Sequence, residues 1–244
     1  MTSAAERSRP VQVRREVVSF VRRSARMNSQ QRKAWDAFHD RWLLDVPRAE
    51  TDTSIDASFR LDLAAAFHRS APLIVEIGPG MGDSLVPMAK SRPEANVLAF
   101  EVFEPAVARI LGRLAADGVQ NVRVVQADAV DGLTTLVPAG AVDELWTFFP
   151  DPWHKLRHHK RRLISGDFAD LATSRMRSGA SWRLATDWAD YAQQIRSVLD
   201  AHPAFDNLHP GDWAPRFEGR PLTRFEARGV DAGRRIFDLS YLRR

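Results

Sequence analysis

The sequence predicts an α/β fold: a doubly wound, mostly parallel sheet with helices on both faces. Three observations carry that expectation. Apolar runs of five to eight residues recur between Leu73 and Thr186, interleaved with helix-like segments, the pattern of parallel strands joined by crossover helices. A glycine-rich turn, Gly78-Pro79-Gly80-Met81-Gly82, follows the first run directly. Acidic residues (Glu76, Glu101, Asp128 and Asp151) stand at the ends of four successive runs, and sheets of this kind bind ligands at their strand carboxyl ends.

The elements follow in order. Residues 1–18 are polar, Arg-rich and aperiodic, and read as a disordered basic tail. Ser19-Phe20-Val21-Arg22-Arg23 leads to a helix with Asn28 or Ser29 as N-cap and Trp35, Phe38 and Trp42 on one face. A polar link, Pro47 to Ser54, precedes an amphipathic helix over Ile55–His68, whose Phe59, Leu61, Leu63 and Phe67 read as core. Strands are expected at Leu73–Ile77, Asn96–Glu101, Val122–Gln126, Val142–Phe149 and Ser181–Thr186, with helices at Asp83–Lys90, Pro105–Asp117, Arg162–Arg177 and Asp187–Leu199. The tail Arg235–Leu242 alternates apolar and polar residues like a final edge strand. The expected organisation is a helical extension over 19–70 and a sheet core over 71–244.

Bulk properties bound the function. The chain has 244 residues, no cysteine and 44% hydrophobic content: enough for a core, with no disulfide, thiolate metal site or Cys nucleophile. No apolar run approaches the roughly 18 residues of a membrane span, and no apolar stretch follows the basic N-terminus as a secretory signal requires. The cytosol is the expected compartment. Net charge is only +4, but it is uneven. Residues 1–33 carry nine Lys/Arg against two Glu, Trp153–Arg162 carries five Lys/Arg and three His, and 216–244 carries eight Arg against four acids. Three basic segments that converge on one face would bind a phosphate backbone. The plainer reading of any one of them is a solvated surface. The spacing of His154, His158 and His159 matches no carboxylate or Cys, so no metal site is expected.

The acids and glycines point to one kind of ligand. A nicotinamide fingerprint, Gly-x-Gly-x-x-Gly, would need glycine at 83, where Asp83 stands, and an acid at that helix N-terminus repels a pyrophosphate. The spacing is instead Gly-x-Gly-x-Gly: Gly78, Gly80 and Gly82. Glu101, 19 residues after Gly82, suits two ribose hydroxyls. Asp128 suits an adenine amino group, and Glu76 an ammonium. Four acids suit a cationic ligand without phosphates, although the plainer reading of any one of them alone is a surface or capping acid.

The strand-four stretch is the most distinctive. Phe148-Phe149-Pro150-Asp151-Pro152-Trp153-His154-Lys155, with Lys160-Arg161-Arg162, holds one carboxylate between two prolines that end the strand and stiffen the loop. This stretch resembles the signature of the bacterial tRNA (guanine-N7-)-methyltransferases, members of the class I S-adenosylmethionine-dependent superfamily. Ala185-Thr186-Asp187-Trp188, Thr223-Arg224-Phe225-Glu226 and the leader Ser19–Arg23 resemble it too, in the same order, from about Ser19 to Leu242. The glycine spacing also resembles the superfamily's first motif.

The resemblance implies a seven-stranded Rossmann-like methyltransferase sheet and methyl transfer from S-adenosylmethionine to N7 of a guanine in the tRNA variable loop. It implies that Glu76, Glu101, Asp128 and Asp151 line the cofactor site, with Asp151 as the catalytic residue. It further implies that Lys155, Asp187, Thr223, Arg224, Phe225 and Glu226 touch the substrate. Guanine N7 carries a lone pair and no proton, so the reaction needs alignment and nearby negative charge rather than a general base. Asp151 or Asp187 would accept from guanine N1 and amino hydrogens, and Phe225 or Trp153 would stack on the base. Trp153 reads equally well as packing behind the loop. Two departures stand out: Arg224 replaces the family's lysine, and Ser24-Ala25-Arg26-Met27-Asn28 replaces an Arg-Gly-Arg pattern. Two other functions stay open on the residues: a methyltransferase of this class acting on a protein or small molecule, and a tRNA-binding protein without turnover. The basic segments and the strand-four stretch argue against the first, and the intact Glu101, Asp128 and Asp151 against the second.

Overall fold

The computed structural model describes residues 26–244. The tail 1–18, the leader Ser19–Arg23, and Ser24 and Ala25 lie outside the described residues. The elements are α1 (Ser29–Trp42), α2 (Leu63–Phe67), β1 (Leu73–Ile77), α3 (Leu85–Lys90), β2 (Asn96–Phe100), α4 (Glu104–Asp117), β3 (Val122–Val125), α5 (Ala129–Leu136), β4 (Val142–Phe148), a 3₁₀ turn (Leu156–Arg161), α6 (Gly166–Arg175), β5 (Met176–Thr186), α7 (Ala189–Asp200), β6 (Phe205–Asn207), α8 (Arg224–Asp231) and β7 (Phe237–Arg243). One seven-stranded sheet runs β3-β2-β1-β4-β5-β7-β6. The first five strands in that order pair in parallel, and β7 pairs antiparallel with both β5 and β6. Chain order reverses between β1 and β4, so the switch point lies where Glu76 and Asp151 end their strands.

Both faces are covered, as a parallel sheet requires. One core joins Val75, Leu98 and Leu145 to Leu133 of α5, Phe168 of α6 and Ile195 of α7. The other joins Ile74, Val97 and Trp146 to Trp42 of α1, Leu85 of α3 and Ile110 of α4. Asn28 and Gln31 form a reciprocal capping box at the start of α1. Its Trp42 is fully buried and donates its indole N–H to Val119 O at 2.9 Å.

Four expectations need correction. The helix over 55–68 shrinks to α2, because the Asp56 carboxylate accepts from the Ser58 amide and hydroxyl in a turn and Asp62 then caps the real helix start. The link before it is a strap along the β3 edge: Leu44 donates to Val124 O at 2.8 Å, Arg48 to Gln126 O at 2.6 Å, and the Asp128 amide to Thr53 O at 2.9 Å. The strap covers an edge that would otherwise be open. The tail strand β7 is interior, flanked by β5 and by β6, a three-residue strand too short to show periodicity. Finally, β5 starts five residues early because Arg177, Ser178 and Gly179 carry no apolar alternation; α5 and α8 are additional helices.

Candidate functional site

The carboxyl ends of β1, β2, β3 and β4 frame a cleft of about 220 Å³, lined by Gly78, Glu101, Asp128, Phe149, Asp151, Trp153 and Arg161 among others. At Gly78 and Gly80, φ is positive and a Cβ would project into open space. These two glycines make a cradle that a ligand can approach closely. Gly82 also has a positive φ (73), and a Cβ there would in addition stand 2.9 Å from Ile110, so close packing on α4 demands glycine as well. Asp83, at the position that excluded the nicotinamide fingerprint, pairs with Arg113 of α4.

The three acids beyond the cradle sit in distinct environments. Glu101 is buried and accepts from the Gly80 amide (2.9 Å) and the Phe103 amide (2.9 Å), which fixes its carboxylate toward the cleft mouth. Burial pushes its pKa upward, those amides oppose the shift, and the charge of Asp151 adds to it. Glu76 is almost fully buried; its carboxyl is pushed up to about 8 by burial, despite the Ser84 hydroxyl donating to it at 3.1 Å. Its second oxygen, Oε2, is buried with no partner among the described residues. A buried carboxyl oxygen without a partner is open to a donor from outside the chain. Asp128 caps α5, accepting from the Val130 amide at 2.8 Å, while its own amide is held by the strap.

Asp151 lies on an exposed corner that the backbone builds under strain. Phe149 (φ 53) and Trp153 (φ 44) both occupy the left-handed region without being glycine, at a cost on the order of 1–3 kcal/mol each. Surrounding contacts hold both. The Phe149 amide donates to Ala185 O at 2.7 Å and its ring meets Phe225 at 5.2 Å. Trp153 is half-buried between the Arg161 guanidinium (5.0 Å) and the edge of His158 (5.8 Å). The basic strip then divides. Arg162 is buried: it donates to Pro152 O (2.8 Å), Asp190 (2.6 Å) and Gln194 (2.7 Å), and so staples the loop instead of offering its charge to a phosphate. Lys155, Arg157 and Lys160 are exposed. His154 packs on Trp188 at 4.1 Å, and His159 lies beside Arg162 at 2.9 Å.

The C-terminal segment brings its residues to the other side of the Phe149 corner. Thr223 caps α8, accepting from the Glu226 amide at 3.2 Å. Arg224 and Phe225, in the first turn, are exposed. Glu226 faces inward, 2% exposed, paired with Arg216 (2.8 Å) and Arg220 (3.0 Å). Asp187 is held by Arg234 at 3.0 Å. The third basic segment is therefore partly neutralised inside the fold. Arg220 is the residue that sequence reasoning passed over: its side chain is fully buried between Glu226 and Asp238 and lies against Phe148 and Phe149. Its position among seven other arginines gave no sign of burial.

Reversed strand order, a glycine cradle and an acid at each of four strand ends define a class I S-adenosylmethionine-dependent methyltransferase. Solved structures agree on the fold: the 16S rRNA methyltransferase KamB superposes with a TM-score of 0.51 at 20% identity over 74% of this chain and 94% of that one. TrmN from Thermus thermophilus gives 0.50 at 17% identity over 77% of this chain and 46% of that one. A family model described as "Putative methyltransferase" matches residues 70–239. The tRNA (guanine-N(7)-)-methyltransferase of Cutibacterium acnes is 51% identical over 95% of this chain and 84% of that protein. Its Nocardioides counterpart is 50% identical over 94% of this chain and 88% of that protein, and that of Acidovorax 42% identical over 93% and 86%. The chain belongs to the tRNA (guanine-N(7)-)-methyltransferase family.

Proposed function

We propose that this protein transfers a methyl group from S-adenosylmethionine to N7 of a guanine in the tRNA variable loop, forming 7-methylguanosine. The observation that carries the reading is the two-sided loop after β4. Asp151 on one side lines the same cleft as Glu101, and on the other side the loop runs into exposed Lys155, Arg157 and Lys160. Such a loop presents one carboxylate between a cofactor cleft and a phosphate-binding strip.

S-adenosylmethionine, when bound, supplies a methyl group on a positively charged sulfur. The chain's residues divide the remaining work. Glu76 Oε2 receives the ammonium, Glu101 the ribose hydroxyls and Asp128 the adenine amino group, over the Gly78 and Gly80 cradle. Asp151 accepts from guanine N1 and amino hydrogens and places negative charge beside the purine that becomes cationic. Asp187, held by Arg234 at 3.0 Å, is the alternative acceptor for that role. Phe225, exposed beside Phe149, offers a face for stacking, and Arg224 and Lys155 offer charge to phosphates. No helix among the described residues is long and apolar enough to cross a membrane. The proposed tRNA substrate supports a cytoplasmic reaction.

The test is to incubate the protein with unmodified bulk tRNA and methyl-labelled S-adenosylmethionine, digest the RNA and identify the labelled nucleoside. Label in 7-methylguanosine is the expected result. Cofactor binding without labelled tRNA guanine would overturn the substrate assignment and leave the class intact.

A further inference from the structure

The buried cluster behind the Phe149 corner has no part in the chemistry described above, yet it joins that corner to α8 and β7. We propose that Arg220 is a positioning residue for methyl transfer: its guanidinium sets the Phe149–Asp151 corner against the first turn of α8, and Glu226 acts through it instead of on tRNA. The inference rests on the proposed tRNA methylation.

Three observations combine. The Arg220 side chain is fully buried and uses different nitrogens to reach Glu226 of α8 (3.0 Å) and Asp238 of β7 (2.8 Å). The same guanidinium lies 5.2 Å from the Phe148 ring centre and 5.3 Å from that of Phe149. Phe149 is the strained residue two positions before Asp151, and such a conformation persists only when its surroundings over-determine it. On the α8 side, Glu226 has its amide capped by Thr223 and its carboxylate buried, which leaves Arg224 and Phe225 exposed, the latter against the Phe149 ring. One group therefore touches the corner that carries Asp151, the helix that carries Arg224 and Phe225, and the strand between them.

A purely stabilising cluster is the plainer explanation, and physical chemistry weighs against it. Buried ion pairs are poor sources of stability, because desolvation offsets their attraction and apolar replacements are often neutral or better. The arrangement also requires arginine: a planar fork can hold two carboxylates and lie against rings, whereas a lysine ammonium on a flexible stem cannot do both. Two arginines, Arg216 and Arg220, balance two carboxylates, Glu226 and Asp238, so the cluster carries no net charge to offer RNA.

The test compares the full-length chain with Arg220→Lys and with Asp200→Ala. The second variant unpicks hydrogen bonds to Tyr241 and Asn207 farther along the antiparallel part of the sheet. Thermal midpoint, Kd for S-adenosylmethionine, and kcat and KM for tRNA are measured well below the lowest midpoint. The expected result for Arg220→Lys is cofactor affinity within about threefold of wild type and kcat lowered by roughly 10- to 100-fold, since a displacement near 1 Å is enough for that. Asp200→Ala should lower the midpoint with kcat within about twofold. If Arg220→Lys fails to fold, Asp238→Asn, which removes one ion pair, carries the same expectation. Near-normal kcat in the folded variant, or an equal loss in Asp200→Ala, would overturn the positioning role. A wild-type chain that labels no tRNA guanine would overturn the methylation reading itself.

Discussion

The two sides of the cleft are built differently. On the cofactor side, each acid closes its own strand, and uncharged groups hold it: burial and the Ser84 hydroxyl for Glu76, the Gly80 and Phe103 amides for Glu101, a helix cap for Asp128. On the substrate side, the segment 208–236 has one short helix, and its geometry comes from ion pairs between charged side chains: Arg216 to Glu226, Arg220 to Asp238, Arg234 to Asp187. A parallel sheet places side chains at its edge by register alone. A loop-rich segment needs buried partners to do the same. The cofactor side should therefore fail one residue at a time, and the substrate side as a unit.

Asp151 sits on the border, and changing it should produce the largest effect. Asp151→Asn keeps the shape of the corner and removes its charge. The expected loss is roughly 10²- to 10³-fold in kcat, the scale seen when a preorganised electrostatic contact is removed, with tRNA affinity unchanged. Single-turnover methylation with excess enzyme checks it. An Asn variant with near-normal turnover would remove Asp151 from the chemistry and leave it to the cofactor alone.

Next comes the cofactor side alone. Glu101→Gln loses a charged acceptor while keeping volume. Charge-assisted hydrogen bonds contribute about 1.5–3 kcal/mol, so Kd for S-adenosylmethionine should rise by at least about tenfold. Binding of tRNA, measured separately, should hold. If both fall together, the two sides are mechanically coupled and the contrast between them breaks.

The same contrast explains what the sequence discloses. Strands β1 to β5 and the four acids are legible because periodicity and strand-end position are local properties; Glu101 is findable from its distance to Gly82. The segment around α8 is not. Nothing in Arg220 distinguishes it from Arg224 four residues on, yet one is buried and the other exposed. Only the partners decide, and Asp238 is 18 residues away. Likewise Arg162 looks like one more cation in a basic strip until Asp190 and Gln194 close on it. The 55–68 region misleads for a different reason: apolar residues at helical spacing there serve a turn and a short helix packed on the same core.

Glu76 gives a pH-dependent test of the cofactor side. Its pKa in the cofactor-free fold, about 8, lies above the ordinary 4.5. A raised folded-state value means that the stabilising contribution is complete below the unfolded pKa and fades as pH rises through about 8. Glu101, also raised by burial, acts in the same direction. The cofactor-free protein should lose stability across that interval, and Glu76→Gln should flatten the slope. Cofactor binding should run the opposite way: the ammonium needs an ionised partner, so affinity rises with pH toward 8 in wild type and stays level in Glu76→Gln. Denaturant midpoints and calorimetric titrations at matched pH values read both slopes. A wild-type cofactor affinity independent of pH would mean that Glu76 does not meet the ammonium.

The smallest effect belongs to Arg224, where this chain departs from its family's lysine. Arg224 is exposed on the first turn of α8, while the residue that holds that turn, Glu226, is buried two positions on. If the side chain meets a phosphate, charge decides and geometry counts little. Arg224→Lys should then leave kcat/KM for tRNA within about threefold, since both side chains neutralise one phosphate. Arg224→Ala should raise KM several-fold with kcat nearly constant, and the loss should shrink as salt rises, because one counterion-releasing contact has gone. A large loss in Arg224→Lys would instead mean a bidentate contact to a base edge or a fixed backbone site. In that case the first turn of α8 would share the close tolerances of the Asp151 corner, and the substrate side would depend on single side chains as strictly as the cofactor side does.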